Sequence, residues 1–220
     1  MTGTTEQPAS GSRAVGLLLI AAGITSVALL ASHPEGGAAR DFAGVLKAEA
    51  ADQFMDAVVH GGFIVVMAIE LFCYSMFSVR LKAAPAAATA GLVFFGIGAA
   101  FLSASMLLDG LVTPAIAAKY LAAPNKIEFA KALFVLVGTL IRFLMPIGLA
   151  FQAAAVAAWG LALFSSRTSR IAGAFGIVAG LLMLAAFGAT ASAMNPMVLM
   201  GAIAVLAIWA AVAGIVMLRR

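Results

Sequence analysis

Six apolar runs alternate with short polar stretches along the 220 residues, at about 14–31, 57–79, 86–108, 132–163, 170–190 and 197–218. A helix needs roughly 20 mostly apolar residues to cross the ~30 Å hydrocarbon core of a bilayer. Backbone amides in lipid must be satisfied within the segment, so these runs are read as helices. Alternating segments of ~10 residues, the mark of a membrane β-barrel, are absent. The pattern predicts an all-α integral membrane protein, a bundle of six transmembrane helices. Residues 1–13 read as a disordered cytoplasmic tail, and 14–220 as a single six-helix domain. Arg13 opens an apolar run, but no cleavage-site pattern follows near Ala31, so the first run is read as a retained helix.

Two connecting stretches are longer than the rest, 32–56 and 109–131. Ser32-His33-Pro34-Glu35-Gly36-Gly37 ends the first span. From Ala38 to Met55, Phe42, Val45, Leu46, Ala50 and Phe54 recur at three- and four-residue spacing. This predicts a short amphipathic helix over the end of the bundle, with Glu49 a poor fit to its apolar face. Asp109-Gly110 and Pro114 are expected to end the third span in the same way.

Charge then orients the chain. Arg13, Arg80, Lys82, Arg167, Arg170, Arg219 and Arg220 fall on one side, seven basic residues against five on the other. The second side holds Glu35, Asp41, Glu49, Asp52, Asp56, Asp109 and Glu128. This bias reads as N-in and C-in, with the acidic stretches outside, in a bacterial-type inner membrane. The net charge of +4 therefore marks anchoring to anionic lipid rather than nucleic-acid binding. The partners expected are the lipid bilayer and either further copies of the chain or a larger membrane complex. Trp159 and Trp209 read as interfacial anchors. Cys73 is the only cysteine, so an internal disulfide and a thiolate cluster are excluded. Glycines at 91, 96, 98, 173, 176 and 180 point to closely packed helices. The openings Arg13-Ala-Val-Gly16 and Arg170-Ile-Ala-Gly173 are alike, but Gly/Ala-rich membrane helices in general look so.

Candidate chemistry concentrates on the second span. Asp52, Asp56 and His60 are four residues apart and stack on one helix face. Phe63, Met67, Glu70 and Tyr74 continue down it. Glu70 lies near mid-membrane, and Arg142 lies at similar depth on the fourth span. A lone intramembrane charge is costly, so the two are expected to pair, with Pro146 freeing the carbonyl of Arg142. His60, Glu70, Tyr74 and Arg142 are thus the candidate solute- or ion-binding residues.

A second constellation lies at the acidic end. His33, Asp56, His60 and Asp109 are candidate metal ligands, because two imidazoles with carboxylates suit zinc or another divalent metal. Two imidazoles alone suit haem b. No HExxH motif or other diagnostic spacing chooses between them.

Three readings of function follow. The leading one is a small inner-membrane protein, without enzymatic activity, that binds or translocates a small solute or ion through an outward-opening polar cavity. The second is a metal- or haem-dependent membrane enzyme or electron-transfer protein with its site at the outer face. The third is a structural or assembly subunit without a ligand.

Overall fold

The computed structural model describes residues 10–33, 41–189 and 196–219. Residues 1–9 of the predicted tail, Pro34 to Arg40 of the first loop, and Arg220 lie outside the described residues. Seven α-helices account for nearly all of the rest: α1 Ser10–Ala31, α2 Phe42–Arg80, α3 Pro85–Leu107, α4 Thr113–Leu121, α5 Ile127–Ser165, α6 Arg170–Ala189 and α7 Pro196–Leu218. There is no strand among the described residues. Six helical stretches are long and apolar enough to cross a membrane, with α3 and α4 counted as one. The protein therefore has the build of a polytopic membrane protein.

The helices form a ring. Going round it, α7 packs on α1, α1 on α2, α2 on α3, α3 on α5, α5 on α6, and α6 closes on α7. Two crossings show why small residues dominate these faces. A Cβ added to Gly16 would lie 2.7 Å from the carbonyl oxygen of Gly214, and one on Gly98 would lie 2.8 Å from that of Gly148. Only glycine permits such backbone approach, which supplies the dispersion contact that lipid does not disfavour.

Two expectations need correction. Of the predicted surface helix at 38–55, the described part from Phe42 is not separate but the start of α2. Asp41 caps α2, its side chain accepting from the amide of Gly44 at 2.7 Å, and the helix then runs unbroken for 39 residues. At 1.5 Å per residue that is about 58 Å, nearly twice the hydrocarbon thickness. The apolar run at 57–79 lacks internal breakers on its N-terminal side, so the helix continues past it. Likewise Asp109 and Gly110 do not end the third span. The chain widens into a π-helical turn, Leu108–Val112, and continues as α4. Pro114 lacks an N–H, so the ordinary i→i−4 bond is missing here. Within the turn, the backbone N–H and the hydroxyl of Thr113 both donate to the carbonyl of Leu108, the hydroxyl at 2.9 Å.

The projecting ends of α2 and α5 are held by a small core of their own. Leu46, Ala117, Tyr120 and Ala130 are buried together, and Phe42 meets Phe134 edge to face at 5.3 Å. This cluster fixes the acidic first half of α2 against the rest of the bundle. At the other end Trp159 and Trp209 are 0% and 1% exposed. They are core residues rather than interfacial anchors. The indole N–H of Trp159 donates to Ser78 at 2.8 Å, which removes the need for an interfacial partner.

Candidate metal centre at one end of the bundle

His60 stands in the middle of α2 and is only 3% exposed. Its Nδ1 lies 2.9 Å from the carbonyl oxygen of Asp56, one turn back. A carbonyl can only accept, so Nδ1 carries the hydrogen. Its Nε2 lies 3.3 Å from Oδ2 of Asp109, on the π-helical turn. A neutral imidazole has a single N–H, so with Nδ1 donating, the lone pair of Nε2 faces a carboxylate oxygen. Two species resolve that opposition: a proton on Nε2, giving an ion pair, or a metal ion shared by nitrogen and oxygen.

His33 completes the group. It follows the C-terminus of α1 and packs edge to face on His60, with ring centroids 5.0 Å apart. One ligand atom each from His33, His60 and Asp109 lie within 4.8 Å of one another. Zn–N and Zn–O bonds of about 2.0–2.1 Å place two ligands of a tetrahedral ion roughly 3.3–3.4 Å apart. The His60–Asp109 pair already has that separation. His33 is the solvent-exposed member of the three.

Metal-bound histidines commonly donate their other ring N–H to a backbone carbonyl or carboxylate, as Nδ1–H of His60 does here. That bond fixes the tautomer that leaves Nε2 for the metal. Gly110 makes the approach sterically feasible. A Cβ there would overlap the Cβ, Cγ and Nδ1 atoms of His60. The π-helical turn, a geometry that often marks functional sites, thus places Asp109 and removes the obstruction beside it.

A cavity of about 80 Å³ opens on this group, lined by His33, Ala48, Glu49, Asp52, Asp56, His60 and Asp109. Of the four predicted metal-site residues, His33, His60 and Asp109 converge. Asp56 lines the cavity wall and contributes its backbone carbonyl to His60, but does not belong to the convergent set. Glu49, passed over in the sequence as a poor fit to an apolar face, lies in the same wall. Glu49, Asp52, Asp56 and His60 follow one another at spacings of three, four and four, one polar stripe along α2.

The two-histidine haem does not fit. Iron between two axial imidazoles requires a porphyrin plane separating the rings. His33 and His60 pack edge to face with ring centroids 5.0 Å apart, which leaves no gap between them for a porphyrin plane.

The second predicted set is dispersed. Glu70 lines a separate cavity inside the ring. Arg142 is exposed on α5, and among the described residues no ion pair joins it to Glu70. The buried stripe of α5 runs through Val137, Ile141, Met145 and Leu149, and Arg142 stands one residue off it. Tyr74 is 2% exposed. It stacks on Trp159 with ring centroids 4.3 Å apart and packs against Phe77 and Phe95. It belongs to an aromatic core cluster and lines neither polar cavity.

No family model matches the chain, and no curated protein or solved structure is significantly similar to it.

Proposed function

We propose that this membrane protein binds a divalent transition-metal ion through His33, His60 and Asp109, as a cargo ion taken up at the acidic end of the bundle. The observation that carries the reading is the geometry at His60. One ring nitrogen is committed to a backbone carbonyl, and the other faces a carboxylate at the separation two ligands of one ion adopt. Two imidazoles with one carboxylate suit zinc, iron, manganese, cobalt or nickel, whereas calcium and magnesium prefer all-oxygen sets. The carboxylates of Glu49, Asp52 and Asp56 add negative potential around the entrance, which raises the local cation concentration. By the charge bias of the loops this end faces outward, so the ion would be captured from outside an inner membrane.

A second reading shares the site but not the role. Three protein ligands leave coordination positions open, as in catalytic zinc centres and two-histidine, one-carboxylate iron enzymes. Exchange separates the two. The test is purification in mild detergent, elemental analysis, and incubation with labelled Zn²⁺. Cargo binding predicts one ion that exchanges readily and disappears in His60→Ala and Asp109→Ala. A tightly held, non-exchanging ion favours the catalytic reading. A wild-type protein that takes up no metal leaves the His60–Asp109 pair as a salt bridge with a proton on Nε2 and ends both readings.

A further inference from the structure

The second cavity lies inside the ring, where α1, α2, α3, α5 and α7 meet, and has a volume of about 60 Å³. That is room for a partly hydrated ion, since one water needs only about 10–15 Å³ measured in this way. Its wall is mainly apolar, but the exceptions have a common chemistry. Glu70 brings the only carboxylate, Gln152 a carboxamide, Ser26 a hydroxyl, and Met67, Met106 and Met145 bring thioethers from three different helices. Gln152 is buried, and its Nε2 makes one long contact, 3.5 Å, to the carbonyl of Phe95. Glu70 forms no ion pair with any described residue. An acid held at membrane depth without a cationic side chain is expensive and tends to mark an ion or proton site.

The geometry points to a second cation site in this cavity, in which Glu70 and Gln152 supply oxygen and Met67, Met106 and Met145 supply sulfur to a partly dehydrated transition-metal ion. The inference rests on the metal-binding reading of the His60 end for the kind of ion, but its residues are all different. Thioethers are soft donors that select transition metals over the hard ions calcium and magnesium. One carboxylate keeps the site's charge low enough for the ion to leave again.

The position follows from the same two elements that build the first site. Phe63 lies one turn along α2 from His60, and Met106 lies one turn before Asp109, and both line the inner cavity. Along α2, His60 to Glu70 is about 15 Å. An ion released from Asp109 therefore meets the Met106 thioether first, with Glu70 beyond it. The two cavities are consecutive stations along one face of α2.

The test is equilibrium dialysis of the full chain in lipid nanodiscs against Cd²⁺, a divalent ion that accepts sulfur, with ¹¹³Cd NMR of the loaded protein. The expectation is two ions per chain, one resonance of nitrogen–oxygen type and one displaced by sulfur. Glu70→Gln should remove the sulfur-shifted ion alone, and His60→Ala the other alone. Met67→Leu with Met145→Leu, close in volume and so tolerated by the fold, should weaken the inner ion about tenfold and leave the outer one. A single wild-type ion lost in His60→Ala but kept in Glu70→Gln overturns the inner site and spares the outer one. Two ions with no sulfur-shifted resonance, or an inner ion untouched by the double leucine variant, overturn the donor set and leave the methionines as packing. Loss in Glu70→Gln with no effect of His60→Ala sinks the outer reading instead.

Discussion

The two cavities along α2 differ in almost everything but the helix they share. At the acidic end, the three convergent side chains of the proposed site come from three separate places: the end of α1, the middle of α2, and a π-helical turn after α3. Six of the seven residues lining that cavity are titratable, and the cavity sits where the helices project as a separate small core. The inner cavity is lined by five of the ring helices and has one carboxylate among thioethers. The difference teaches how dielectric sets composition. Near water, several like charges can share a wall because solvent screens them. In the bundle interior each added charge is far more costly, so weak neutral donors replace carboxylates.

The sharpest way to break this contrast is to remove a ligand at the acidic end. His60→Ala or Asp109→Ala should lower transition-metal affinity by more than about 100-fold, beyond the ~10–100-fold that outer-shell partners contribute. Isothermal titration with Zn²⁺ reads it directly. An affinity within about threefold of wild type would show that the pair does not hold the ion.

Next comes Gly110→Ala, which leaves every ligand in place. The added methyl overlaps His60 and must push the π-helical turn away from α2. Overpacking of this kind costs about 1–3 kcal/mol, and the ring displacement should reduce metal affinity about 10- to 100-fold. Thermal melting of the metal-free protein reads the first effect and Zn²⁺ titration the second. Wild-type values for both would mean that the turn is more plastic than its contacts imply.

These residues also mark where sequence reading succeeds and where it stops. The six spans were legible because bilayer thickness imposes a length on apolar runs that few other constraints blur. The stripe on α2 was legible because helical spacing is local, and Glu49 could have been placed by the same count. Height along the spans gathered His33, His60 and Asp109 at one end, but their approach to ligand distance was not legible, since it depends on a π-helical turn that no local pattern announced and on where α1 ends. The Glu70–Arg142 pairing failed for a related reason. Depth along a span is readable from sequence, but the direction a side chain faces is set by which neighbours the ring brings up. The buried stripe through Ile141 and Met145 leaves Arg142 outside. Tyr74 shows the same lesson: it lies on the right face of α2, but Trp159 fills the space beside it.

A smaller effect is expected from Tyr74→Phe. The phenyl ring keeps the stacking on Trp159 and the contacts with Phe77 and Phe95. Metal affinity at both cavities should stay within about twofold, with stability changed by less than about 1.5 kcal/mol. A loss of inner-site Cd²⁺ in this variant would restore the tyrosine to the ion path.

The smallest effects belong to the wall carboxylates. Glu49→Gln or Asp52→Asn removes a charge that lines the outer cavity without joining the convergent set. Such a charge acts only through the field at the entrance, over a distance that water partly screens. The expected loss of Zn²⁺ affinity is about two- to fivefold, on the order of 0.5–1 kcal/mol, in line with solvent-exposed charge pairs. It should appear mainly in the association rate and fade as salt is raised, because steering is an ionic-strength-dependent effect. His60→Ala, by contrast, should act on dissociation and persist at high salt. A salt-independent loss of more than about 100-fold in Glu49→Gln would make that residue a direct ligand and move the centre of the site along α2 toward its N-terminus.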